Sequence, residues 1–183
     1  MERTPPEHFG SHAPPFPAEI EALVEPLAGH IALALERFAP RLGREAVSVL
    51  AMDCHPWHGV LELSVLLASE ADEDEGLRSD GEQASWRCFQ FTRDAVAQAQ
   101  WKEVTSIAER FRTHYDGALD RKTAARDAFV CCARALVHPN ARRAIESLRR
   151  SADFVEWVVD PDDPAARNYC DLASGRAPGR REP

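Results

Sequence analysis

The chain has 183 residues, enough for one domain with a core of its own. Its 30 acidic and 22 basic side chains give a formal net charge of −8, which argues against general nucleic-acid binding and against attachment to anionic membranes. No apolar run approaches the ~20 residues of a membrane span. The five cysteines include the adjacent Cys131 and Cys132, and fit reduced thiols in a cytoplasmic protein better than a disulfide framework.

Residues 1–17 carry Pro5, Pro6, Pro14 and Pro15 and lack the apolar region of a secretory signal. They are expected to form a flexible arm, with a single domain over 18–164 and a disordered tail rich in Arg, Pro and Gly over 165–183. A first helix is predicted over 18–39, with Ile20, Leu23, Val24, Leu27, Ile31, Leu35 and Phe38 on one face. Pro26 is expected to kink it, and Pro40 with Gly43 to end it.

The stretch 46–69 alternates with period two and predicts two strands joined by a tight turn. Val47, Val49 and Ala51 oppose Ser48, Leu50 and Met52 on the first arm. On the second, Leu61, Leu63, Val65 and Leu67 form the core face, and Glu62 marks a partly wet one. Pro56 should stop the first strand by His55, and Gly59 should close the turn.

That turn holds the densest group of reactive side chains. Asp53, Cys54, His55 and His58 are residue types that ligate zinc or another borderline metal, or serve in acid/base chemistry. Against this, recognisable zinc motifs pair two ligand groups, and no second group accompanies Cys54, His55 and His58. The plainer expectation is solvated histidines and a cysteine packed at the strand end. On that reading Trp57 caps the core edge; it is alternatively a candidate exposed anchor for a partner, with Glu62 an accessible neighbour on the outer sheet face.

An acidic run, Glu70 to Glu75, follows. Its packed like charges predict a solvated loop, with Asp72, Glu73, Asp74 and Glu75 as a candidate dock for a basic partner. The spacing does not match a calcium loop. The stretch 85–91 is aromatic-rich and fits a third strand with Phe89 and Phe91 on one face, a short helix being the alternative.

Asp94 is placed as the cap of a helix over 95–114, and Asp120 as the cap of another over 121–137. Ala125, Ala128, Phe129, Cys132, Ala135 and Leu136 form the apolar stripe of the second, so Cys131 and Cys132 are expected in or beside the core. Asn140 is expected to cap a short helix over 141–150. The stretch 153–160 reads as a last strand, with Val155, Trp157 and Val159 on one face, stopped by Pro161.

Strands cluster first and helices follow, which gives an α+β class. The expected architecture is an antiparallel sheet of three to four strands, with helices packed mainly on one face and the other face partly open. The chain carries no phosphate-binding glycine loop, nucleophile elbow or His-Glu-x-x-His motif.

The order of hairpin, acidic loop, aromatic segment, helices and a terminal DFVEWVVDPDD resembles small bacterial α+β domains of unassigned function. Some of these are similar to immunity proteins of contact-dependent toxin systems. The likeness spans about 18–163 and rests on order, not on a motif. It implies an acidic cytoplasmic protein that acts by binding, and it transfers no catalytic residue.

The leading expectation is therefore a non-enzymatic protein-binding module with no cofactor. The alternatives are a small transition-metal- or thiol-dependent enzyme centred on Asp53 to His58, and a homodimer that buries the open sheet face.

Overall fold

The hairpin lies at the centre of the chain. β1 (Val47–His55) pairs antiparallel with β2 (Val60–Leu67), and a single 3-10 turn, Pro56–His58, joins them. The structure is a computed structural model that describes residues 16–79, 82–94, 98, 99, 101–163 and 167–175. The predicted arm lies outside the described residues except for Phe16 and Pro17, as does the tail beyond Gly175.

The third strand is β3 (Arg150–Trp157), and it runs parallel to β1. The sheet order is β2-β1-β3, so the sheet is mixed, not antiparallel throughout. The reason is the connection. Among the described residues four helices, Ala68–Glu73, Val104–Gly117, Arg121–Val137 and Pro139–Ser147, lie between β2 and β3, and a connection of that length lets β3 run in the direction of β1.

One face assignment also differs. Val47 faces Leu67 and Val49 faces Leu66, so Ser48 is an extra residue on β1. This bulge turns Val47 to the side of Leu50, Met52 and Cys54, and leaves Val49 and Ala51 on the other. The core face expected for β2 is the one observed.

The helices are α1 (Ala18–Glu21), α2 (Val24–Leu42), α3 (Ala68–Glu73), α4 (Val104–Gly117), α5 (Arg121–Val137), α6 (Pro139–Ser147) and α7 (Tyr169–Ala173). The first helix breaks at Ala22–Leu23, ahead of Pro26. Pro26 then falls in the first turn of α2, where a missing N–H costs no helical bond. Pro40 does not end α2, which runs on to Leu42 and stops at Gly43, whose φ is +57°.

Two apolar clusters sandwich the sheet. Leu50, Met52, Cys54, Leu61, Leu63 and Val65 share one with α2, α4, α5 and α6. Val49, Ala51 and Leu66 share the other with Ala71, Trp86 and Trp157, so this part of the second face is covered. The acidic run supplies part of that cover. Glu70 is buried, not solvated: its carboxylate accepts from the backbone N–H of Leu67 (3.2 Å) and of Arg87 (2.8 Å).

No third strand forms over 85–91. Gln90 takes φ +46°, which breaks any extended run. The segment instead lies along the free edge of β2. Val65 N–H donates to the Cys88 carbonyl (3.1 Å), and Leu63 N–H to the Thr92 hydroxyl (3.0 Å). Those bonds satisfy edge donors without a ladder. Phe91 is buried and stacks on Phe38 at 4.0 Å, whereas Phe89 is exposed, so the two do not share a face.

The helix predicted over 95–114 lies partly outside the described residues, and α4 begins only at Val104. α5 starts and ends where the spacing placed it. Asp120 caps it, accepting from the N–H groups of Lys122 (3.1 Å) and Thr123 (3.2 Å). At α6 the cap is His138, whose Nδ1 accepts from Asn140 N–H (3.3 Å); the helix ends at Ser147 and Arg150 opens β3.

The segment expected to be tail instead carries α7. Asn168 ties it to the end of β3: its Nδ2 donates to the Glu156 carbonyl (2.7 Å), and its Oδ1 accepts from the Val158 and Cys170 N–H groups (3.2 and 3.1 Å). Tyr169 is then buried against Phe129, with ring centroids 5.4 Å apart.

Candidate functional site

The hairpin tip is clamped onto α4. Gly59 has φ +61°, and a Cβ there would meet Glu109 Oε1 at 3.2 Å and Arg112 Cδ at 3.4 Å. Gly59→Ala is expected to lower stability by about 1–2 kcal/mol, the ordinary cost of a left-handed non-glycine residue. Urea unfolding checks this, and an unchanged midpoint would mean that the tip is not clamped.

The clamp sets Trp57 into an aromatic group. Its ring lies 6.2 Å from Tyr115 and 6.5 Å from Phe129, and Phe129 contacts Tyr169. Trp57, Tyr115 and Tyr169 line a cleft of about 1030 Å³. That volume is at the upper end of what ligand pockets occupy.

The cleft is rimmed by charge. The first turns of α5 bring Arg121, Lys122 and Arg126, and the segment after β3 brings Asp160, Asp162, Asp163 and Arg167. Several of these are already engaged. Arg167 Nε donates to Asp163 (2.8 Å), Asp120 is spent on the cap, and Asp160 accepts from the Asp162 N–H (2.9 Å). Burial pushes the Tyr169 phenol up, and Asp160 adds to it. Apolar surface is present too. Leu172 lines the cleft half-exposed, and Leu119 is fully exposed in the turn between Asp116 and Asp120.

The predicted site residues do not form one site. Trp57 is half-buried in the cleft and packs against the core, between the two readings of a core-edge cap and an exposed anchor. Asp72, Glu73, Asp74 and Glu75 are exposed but follow the far end of β2, whose eight residues put roughly 25 Å between them and the tip. Glu62 lies between and is largely covered: Thr92 donates to it at 2.5 Å and Arg93 Nε at 2.9 Å.

The structure does not bring Cys54, His55 and His58 together as ligands. Strand alternation turns Cys54 into the core, within hydrogen-bond reach of the Cys132 thiol. His55 is half-buried and His58 exposed, and each meets the Trp57 ring edge-on, at 5.6 and 6.2 Å between centroids. Burial and the neighbouring His58 lower the His55 pKa, with Asp162 opposing. Among the described residues no three His, Cys, Asp or Glu side chains converge as metal ligands. Burial pushes the Cys88, Cys131, Cys132 and Cys170 thiols up, the direction opposite to that of a reactive thiolate.

Asp53 is the one carboxylate of the predicted tip group with a strongly perturbed environment. It faces Glu62 across the β1–β2 ladder and accepts from the Ser64 hydroxyl at 2.6 Å. Burial pushes its pKa up to about 6. The Ser64 bond and Arg93 lower it, and Glu62 adds to the rise.

Sequence reasoning missed Tyr115, Tyr169 and the α5 cations as parts of one site. They come from α4, α7 and α5, and only the fold joins them; Tyr169 lay in the segment read as tail. A scan of protein-family models, a search of curated proteins and a search of solved structures each found no match to the chain.

Proposed function

We propose that this chain is a non-catalytic protein-binding module that takes a segment of its partner into the hairpin-tip cleft, with Trp57 as the anchor. The observation that carries the reading is the state of that indole. It is half-buried on an aromatic floor, and its N–H makes no hydrogen bond to any described residue. A tryptophan with its body packed and its polar edge free contributes strongly to a complex. The exposed Leu172 in the cleft lining adds apolar area that a small ligand would leave uncovered.

Inhibition of a toxin is the form of binding that the resemblance to immunity proteins implies. The acidic quartet at the far end of the sheet is not part of this surface.

Site-specific photo-cross-linking tests the reading. A cross-linking residue at position 172 is expected to trap one protein from lysate of the source cells. Untagged wild-type chain should compete it away, and Trp57→Ala should compete at least about tenfold less well. The same residue at exposed position 33 on α2 is the control. Equal capture at both positions, equal competition by Trp57→Ala, or capture of only a second copy of the chain would overturn the proposal.

A further inference from the structure

The charges around the cleft are not equivalent once those already engaged are set aside. Asp120 is held by two backbone N–H groups and the Thr123 hydroxyl, and Asp163 by Arg167. Arg121, Lys122 and Arg126 are all exposed, and none makes an ion pair with a described residue. Arg121 is stacked 5.4 Å over the Tyr115 ring, which holds its guanidinium at the aromatic floor. Arg126 lies close enough to the Tyr169 phenol to act on its charge. The cleft lining thus brings together three cations, without an ion pair among the described residues, and flat aromatic rings, in a chain whose net charge is −8.

We propose that the cleft selects a peptide segment in which a carboxylate lies next to an aromatic side chain. The carboxylate goes to Arg121, Lys122 and Arg126, and the ring goes to Trp57 and Tyr115. Guanidinium groups match carboxylates in a bidentate fork, and aromatic rings pack offset or edge-on against Trp and Tyr. Asp160 and Asp162 also line the cleft, so a carboxylate beside them is repelled and the cations are its favoured partners. The inference rests on the cleft being the docking surface and adds the chemistry of what docks.

The test uses the full chain labelled with nitrogen-15 and three end-blocked pentapeptides, Gly-Asp-Phe-Asp-Gly, Gly-Asn-Phe-Asn-Gly and Gly-Lys-Phe-Lys-Gly. The readouts are the Trp57 indole N–H and the Arg126 Nε–H resonances, assigned with Trp57→Phe and Arg126→Gln. The acidic peptide is expected to shift both, and to bind about tenfold or more tighter than the neutral one, with the preference shrinking as salt is raised. Combining Lys122→Gln with Arg126→Gln should remove most of the acidic peptide's advantage, with Arg121 holding the remainder, and leave the neutral one unchanged.

Equal affinity for acidic and neutral peptides, or preference for the basic one, overturns the charge selection and leaves the cleft reading standing. If no peptide moves the Trp57 indole, the inference falls, and the cross-link from position 172 decides the cleft reading separately.

Discussion

Asp53→Asn is expected to stabilise the folded chain at pH 7.5 by about 3 kcal/mol, the free-energy equivalent of raising its carboxyl from 3.8 to about 6. The sign follows from proton counting. Between about pH 4 and pH 6 the folded state holds a proton that the unfolded chain has released. Wild-type stability therefore falls as pH rises through that window, and above it the buried carboxylate is carried as a constant cost. Asparagine has the same shape and no charge, and its amide oxygen can still accept from the Ser64 hydroxyl. It also removes the repulsion from Glu62 across the ladder.

Urea unfolding of both proteins at pH 4, 5, 6 and 7.5 gives the answer. The two curves should converge near pH 4 and separate as pH rises. A variant no more stable than wild type at pH 7.5 would mean that the carboxylate is better solvated than its position between the strands indicates. A binding module retains no advantage from this cost, so Asp53→Asn is also expected to cross-link to the partner as wild type does.

Arg142→Ala is the second large effect, and it has the opposite sign. Arg142 on α6 pairs with Glu156 on β3, whose side chain is only 5% exposed. Removing the arginine leaves a buried carboxylate without a counter-charge, which costs about 3–5 kcal/mol. The consequences reach the cleft. The Glu156 backbone carbonyl holds Asn168, and Asn168 caps α7, which contributes Tyr169 and Leu172 to the cleft.

Adding Glu156→Gln to Arg142→Ala should recover most of the loss, since the stranded charge is then gone. Denaturant midpoints and hydrogen exchange at the Tyr169–Ala173 amides report the two parts. If Arg142→Ala unfolds within about 1 kcal/mol of wild type, water reaches Glu156 and the pair does not anchor α7.

The elements that the sequence marked well are those whose signals are local. Pro56 and Gly59 bracket the turn and alternation sets the β2 faces, as read. Asp120 and the Ala125–Leu136 stripe define α5 at both ends. The failures share a cause. The stretch 85–91 has strand-forming residues, but Gln90 at φ +46° and the side-chain bonds of Ser64 and Thr92 let it cover the β2 edge without a ladder. The acidic run was read by its charge, and Glu70 escapes that rule because two backbone N–H groups and Arg87 receive it.

The candidate site divides in the same way. Trp57 stands out in the sequence because a turn of Pro and Gly has no structural need of it. Its surroundings do not stand out, because Tyr115, Arg121, Arg126 and Tyr169 are separated from it by 58 residues or more. Local composition thus determined the hairpin, its tip and the central helix, because turn geometry, alternation and capping each act over a few residues. Only the tertiary structure decided that β3 runs parallel to β1 and that four distant segments wall one cleft. Those outcomes depend on which apolar faces are buried together, and that depends on the whole chain.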